Sequence, residues 1–165
     1  MTVLQESMND LRKMLESGAL PKAYRGLMDF MQGLRNHLSQ KYAGRFSVSS
    51  FYQGFMDMSY FAFTPDSLKA LGLKVAIVFV FETFRFEVWL AANNKKTQEK
   101  YWNIIRESGW DKYRVVPAIQ GYDSILEHVL ADDPDFSDPQ ALSNLIEDGL
   151  FDFIQDVESF LARQI

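Results

Sequence analysis

The chain has 165 residues, 47% hydrophobic and 24% charged, with a formal net charge of −5 and no cysteine. That length suits one domain with a sizeable core, and the missing thiols exclude disulfides, thiolate metal sites and cysteine nucleophiles. Charge is uneven: residues 1–121 carry 16 Lys/Arg against 11 Asp/Glu, whereas residues 122–165 carry only Arg163 against 11 acids. Because the acidic part also has a regular apolar face, it is expected to fold over the basic remainder.

Val3, Leu4, Met8, Leu11, Met14 and Leu15 recur at three- and four-residue spacing and predict a first helix that Gly18 ends. Pro21 opens a second helix, whose apolar positions (Tyr24, Leu27, Met28, Met31, Leu34, Leu38, Tyr42) continue to Gly44. The two are expected to pair antiparallel. From Phe46 the period changes: "FSVSSFYQGFMDMSYFAF" alternates loosely and is rich in strand formers, with Gly54 marking a bulge or a close backbone approach. "TPDSLKALG" then offers Thr64 as a helix cap, Pro65 in the first helical position and Gly72 as terminator.

"LKVAIVFVF", apolar on both faces, predicts a central strand. Glu82 and Thr83 turn the chain into "FRFEVWLA", where Phe84, Phe86, Val88 and Leu90 alternate with Arg85, Glu87 and Trp89. This gives an antiparallel hairpin of 73–81 with 84–91. A helix over Lys95–Ser108 follows, with Tyr101, Trp102 and Ile105 inward; "YRVVP" predicts a short last strand and "YDSILEHVLA" a short helix. Asp138 or Ser137 caps a final helix that Pro139 opens, with Leu142, Leu145, Ile146, Leu150, Phe153, Ile154, Val157, Phe160 and Leu161 inward. The expected fold is α+β: an antiparallel sheet of about three to five strands, flanked by an N-terminal helix pair and C-terminal helices, in a single domain over 1–165.

Several chemistries find no support. The two histidines, His37 and His128, fall on different predicted helices and lack cysteine company, so no metal site is expected. His128 and Asp132, four apart, read as a surface pair. Asp133, Asp135 and Ser137 mimic the start of a calcium loop, but Asp138 stands where its glycine belongs and Asn144 where its glutamate belongs. No glycine-rich phosphate loop or G-x-S-x-G elbow occurs, and no cofactor is expected. A metal nuclease pairing of Asp57 with Glu87 fails because Trp89 occupies the lysine position. "MTVLQESMNDLRKMLESG" is amphipathic and contains acids, and "VAIVFVF" is too short to span a bilayer, so a cytoplasmic protein without a membrane partner is expected.

"KAYRGLMDFM", "FYQGFMDMSYFAFTP", "LKVAIVF", "FRFEVWLAANNKKTQEKYW", "GYDSILEHVL" and "DDPDFSD" resemble one family of small bacterial proteins described only as a domain of unknown function. The resemblance covers nearly the whole chain. It implies a bacterial, cytoplasmic protein and transfers no mechanism.

The polar residues that local pattern explains least lie in the predicted sheet. Asp57 sits among Phe55, Met56, Met58 and Tyr60, while Arg85 and Glu87 share a strand face with Trp89. If the strands pair, Asp57, Arg85 and Glu87 come together, either as a salt-bridge cluster or in a pocket walled by Tyr52, Gln53, Tyr60 and Trp89. Three functional readings follow. The first is a binding or interaction module that uses this pocket for a small-molecule ligand, or a face for a second copy of the chain. The second is a hydrolase-like enzyme with Asp57 or Glu87 as acid/base and Arg85 holding an anionic substrate. The third is nucleic-acid binding through Lys95, Lys96, Lys100, Arg106, Lys112 and Arg114, which the negative net charge disfavours.

Lys95 and Lys96 pose a smaller question, because the start of a helix prefers acids. The expected answers are a late start capped by Thr97, neutralisation by the acidic C-terminal segment, or an anion site at the helix start.

Overall fold

The computed structural model describes residues 2–164. Two compact units are distinguished, Met1–Leu34 and Arg35–Ile165. The elements run α1 (Val3–Glu16), α2 (Ala19–Lys41), β1 (Phe46–Val48), β2 (Met58–Pro65), α3 (Asp66–Lys69), β3 (Leu73–Val80), β4 (Arg85–Ala92), α4 (Lys95–Ser108), β5 (Arg114–Val115), β6 (Leu126–Ala131) and α5 (Pro139–Ala162). The fold is α+β, with six strands, one more than the upper expectation, in the order β1-β2-β3-β4-β6-β5. Every neighbouring pair is antiparallel.

In the first unit, Thr2 caps α1 by accepting from the Gln5 N–H, and Gly18 turns the chain at φ 73°. The two N-terminal helices α1 and α2 are present, but the apolar stripe of α1 is not part of a core. α1 has no buried residue, and Val3, Leu4, Met8, Met14 and Leu15 are exposed.

In the second unit, β3 is interior, as its two-sided apolarity predicts. The register puts Phe61 opposite Ile77 and Ile77 opposite Val88 on one sheet face. On the opposite face it puts Tyr60 opposite Val78 and Val78 opposite Glu87. The first face is the core. Phe61, Phe63, Val75, Ile77, Phe79, Phe86, Val88 and Leu90 on it are all fully buried. α5 covers it, with Phe151 edge-on to Phe63 and Phe153 stacked with His128. Asp138 caps α5 through the Ala141 N–H, Pro139 opens it, and Asp135 accepts from Ser137, so turn and cap chemistry accounts for these acids. Leu145, expected inward, is exposed, whereas Glu147 is buried.

Acidic and basic segments meet as their charge imbalance suggests. Lys41–Glu147, Lys112–Asp156 and Arg114–Glu127 are ion pairs at 3.0, 2.8 and 3.1 Å. Tyr42 also donates to Glu147 at 2.7 Å. Burial alone would raise the Glu147 pKa, but the Tyr42 hydroxyl and Lys41 ammonium outweigh it and hold the carboxyl below its ordinary value.

Three local expectations need correction. "YDSILEHVLA" is β6, not a helix. Its apolar spacing fits either element, but β4 needs a partner for its outer edge and β6 supplies one. A bulge leaves Leu130 as the extra residue where Phe86 pairs with Ala131 and Glu87 with Val129. His128 therefore sits half-buried on a strand beneath α5, and burial lowers its pKa. Thr64 caps nothing: β2 continues to Pro65, and the Thr64 hydroxyl accepts from the Val75 N–H at 3.2 Å. Phe84 lies outside β4, exposed in the turn at φ 52°. The anticipated close approach at Gly54 is present: φ is 76°, and a Cβ there would overlap the Met58 carbonyl oxygen.

Candidate functional site

Small residues on the second sheet face make room for a site. Ala76 and Ala91 lie in adjacent strands, and with Val78 they leave a low apolar floor. Tyr60 on β2 and Trp89 on β4 lie on the strands either side of β3, Tyr60 in the Val78 row and Trp89 in the Ala76 row. Together they bound a cavity of about 410 Å³ that lies entirely within the second unit. Lys74, Asn93, Lys95, Gln98 and Asp123 line its other end.

Each wall is held from behind. The Glu87 carboxylate accepts from Trp89 Nε1 at 3.0 Å and from Arg85 Nε at 2.9 Å. Residues i and i+2 share a strand face, so this relay draws the indole along β4 towards the row of Val78 and Tyr60. Tyr60 is supported by Tyr52, whose ring centre lies 5.0 Å away across a backbone bridge. Glu87 is buried, with both its oxygens in use.

The polar end is built by the start of α4. Asn94 caps the helix, its side chain accepting from the Thr97 N–H at 2.8 Å, so the helix begins at Lys95 and Thr97 is not the cap. Lys95 Nζ donates to the Tyr122 carbonyl at 3.0 Å, and the buried Gln98 amide donates to Tyr122 and Ser124 carbonyls at 2.9 and 3.0 Å. These bonds pin the 122–124 segment beside α4 and bring Asp123 to the cavity. Lys74 Nζ and the Asp123 carboxylate make no hydrogen bond or ion pair among the described residues. The cavity thus has one uncommitted cation and one uncommitted anion.

Of the candidates read from sequence, Tyr60, Trp89 and Lys95 line the cavity, and Tyr52, Arg85 and Glu87 support its walls. Gln53, Asp57 and Lys96 do not line it. Gln53 offers its backbone carbonyl to the Ser59 hydroxyl. Asp57 does not join Arg85 and Glu87: its exposed carboxylate accepts from the Phe55 N–H at 3.0 Å, and backbone N–H groups, first that of Phe55, hold its pKa below the ordinary value. Lys74, Asn93, Gln98 and Asp123 were missed. The one available signal was Lys74 as the sole charge in an otherwise apolar strand.

The basic residues of the nucleic-acid reading are largely engaged elsewhere. Lys112 and Arg114 are ion-paired, and Lys100 and Arg106 lie over the rings of Tyr101 and Trp102. No group of three or more metal-ligating side chains occurs among the described residues. Among them, too, no helix is long and apolar enough to cross a membrane.

A family model described as "Domain of unknown function (DUF7000)" matches residues 4–161, and the chain belongs to that family. No curated protein and no solved structure matches the chain.

Proposed function

We propose that this member of the DUF7000 family is a small-molecule-binding module of the bacterial cytoplasm whose site is the open face of its sheet. One observation carries the reading: a cavity of about 410 Å³, within the size range of ligand sites, on which two aromatic walls and the uncommitted Lys74 and Asp123 converge. The bacterial, cytoplasmic setting comes from the sequence resemblance. An acid–base enzyme is less well supported, because Asp57 does not line the cavity and Glu87 is consumed in holding Trp89 and Arg85. The test is a fragment screen by ¹H–¹⁵N NMR. Shifts should cluster at Tyr60, Ala76, Val78, Trp89 and Ala91; hits that scatter, or none at all, would overturn the reading.

A second reading, pairing with another copy through α1, is favoured by the exposed stripe. Leu4, Met8, Leu11 and Leu15 alternate four- and three-residue steps, the seam of a two-helix coiled coil. Glu6 and Asp10 precede Arg12 and Lys13, so an antiparallel self-pair sets unlike charges opposite. Sedimentation equilibrium should show a dimer that Met8→Glu dissociates; a monomer at all concentrations removes this reading.

A further inference from the structure

We infer that the cavity on the sheet takes a flat aromatic ligand bearing a carboxylate, with Lys74 as its anchoring cation. This rests on the binding reading above and assigns the ligand's chemical class. The aromatic part follows from the two rings that line the cavity. Tyr60 and Trp89 lie on the strands either side of β3, two residues out of register, and the bond of Trp89 to Glu87 draws the indole towards the Tyr60 row. They bound a slot whose aromatic sides suit a flat ring. A slot for a compact aliphatic group would not need its indole fixed, whereas here the buried Glu87 and the Arg85 behind it hold that indole at the Val78 row. The floor is Ala76 and Val78, with no polar atom for a ligand hydroxyl to meet.

The anionic part follows from Lys74. It is the only charge on β3, a strand whose other residues are all apolar. Its side chain lies on the cavity face, two residues along the strand from the Ala76 floor, or about 7 Å. It is half-buried and has no hydrogen-bond or ion partner among the described residues. Near the start of β3, it sits where the tail of a ring in the slot would reach. Lys95 is held at the far side of this end by its bond to the Tyr122 carbonyl, with two of its N–H groups still able to donate. Asn93 adds an uncommitted amide that can donate to the same carboxylate, while Asp123 at the same end disfavours a second negative charge on the ligand.

The test uses the full chain and three probes, 2-naphthoate, its neutral amide 2-naphthamide, and inorganic phosphate, followed by NMR titration and calorimetry. 2-Naphthoate should shift the Tyr60, Ala76 and Trp89 resonances and bind at least tenfold tighter than 2-naphthamide. Lys74→Met should abolish that tenfold preference. Lys74→Arg should restore it, which separates loss of charge from loss of packing. Trp89→Leu should weaken both naphthyl probes alike. Equal affinity for the acid and the amide would overturn the carboxylate assignment while leaving the binding reading in place. Phosphate binding at Lys74 with no naphthyl probe bound would overturn the aromatic assignment. No shift at the cavity residues with any probe, together with an empty fragment screen, would sink the binding reading itself.

Discussion

The two faces of one sheet divide the work of this molecule. Along β4 alone, Phe86, Val88 and Leu90 point into a closed core, while Glu87, Trp89 and Ala91 point to the cavity side. The core face is uniform: large apolar side chains, aromatic edges in contact, α5 laid across it. The cavity face is heterogeneous: alanines beside a tryptophan, a lysine in the row next to an apolar floor, a glutamate with a tethered arginine. A uniform face lowers free energy by burial and needs only shape and volume. Burial alone does not account for the mixed residue types of the heterogeneous face, and the proposed ligand site would supply another reason.

Mutations can break this contrast. On the core face, Phe79→Ala removes a fully buried ring that packs edge-on against Phe81, Phe84 and Phe86. It should cost about 3–5 kcal/mol in urea unfolding, and a loss below about 1 kcal/mol would contradict the assigned core. At the rim of the cavity face, Gly54→Ala meets both a positive φ and the Met58 carbonyl. A destabilisation of about 2–3 kcal/mol is expected, and a variant as stable as wild type would contradict the close approach of Gly54 to the Met58 carbonyl.

The charged clamp of the core side can be sharpened by pH. Glu147 has a depressed carboxyl pKa, so its contribution to stability is present above its ordinary value of 4.5 and is lost as pH falls through the lower folded value. Glu147→Gln should lose about 1–2 kcal/mol at neutral pH, from its hydrogen bonds to Tyr42 and Lys41, and the gap to wild type should close below about pH 4.5. A gap that widens in acid would reverse the sign argued here. The smallest effect belongs to the cavity: Lys74→Met should change stability by no more than about 0.5 kcal/mol, since Lys74 has no partner to lose among the described residues. A large loss on thermal melting would make Lys74 structural.

Much of the fold was legible in residue order. The β3–β4 hairpin, its alternation, the span of α4 and the Pro139 start of α5 all follow from period and capping signals. β6 was not, because Ile125, Leu126, Val129 and Leu130 suit a helix as well as a bulged strand, and only the open edge of β4 decides between them. Thr64 was read as a cap because its side chain and Pro65 look the same whether a strand or a helix precedes them. For the site, Tyr60, Trp89, Arg85 and Glu87 stood out as polar or aromatic residues within strands. Asp123 could not stand out, since nothing local distinguishes it from other loop acids.

Local chemistry in the chain alone determined which segments are helix or strand where period and punctuation agree, which face of β4 is apolar, and which chemistries lack residues. Tertiary structure decided the rest: that β6 inserts between β4 and β5, that Glu87 spends both oxygens on Arg85 and Trp89, and that Lys74 and Asp123 line one cavity while Asp57 does not. The reason is range. Backbone period and caps act over a few residues, whereas the partners that satisfy a strand edge or a buried charge lie tens of residues away and are selected only when the sheet closes its hydrogen bonds.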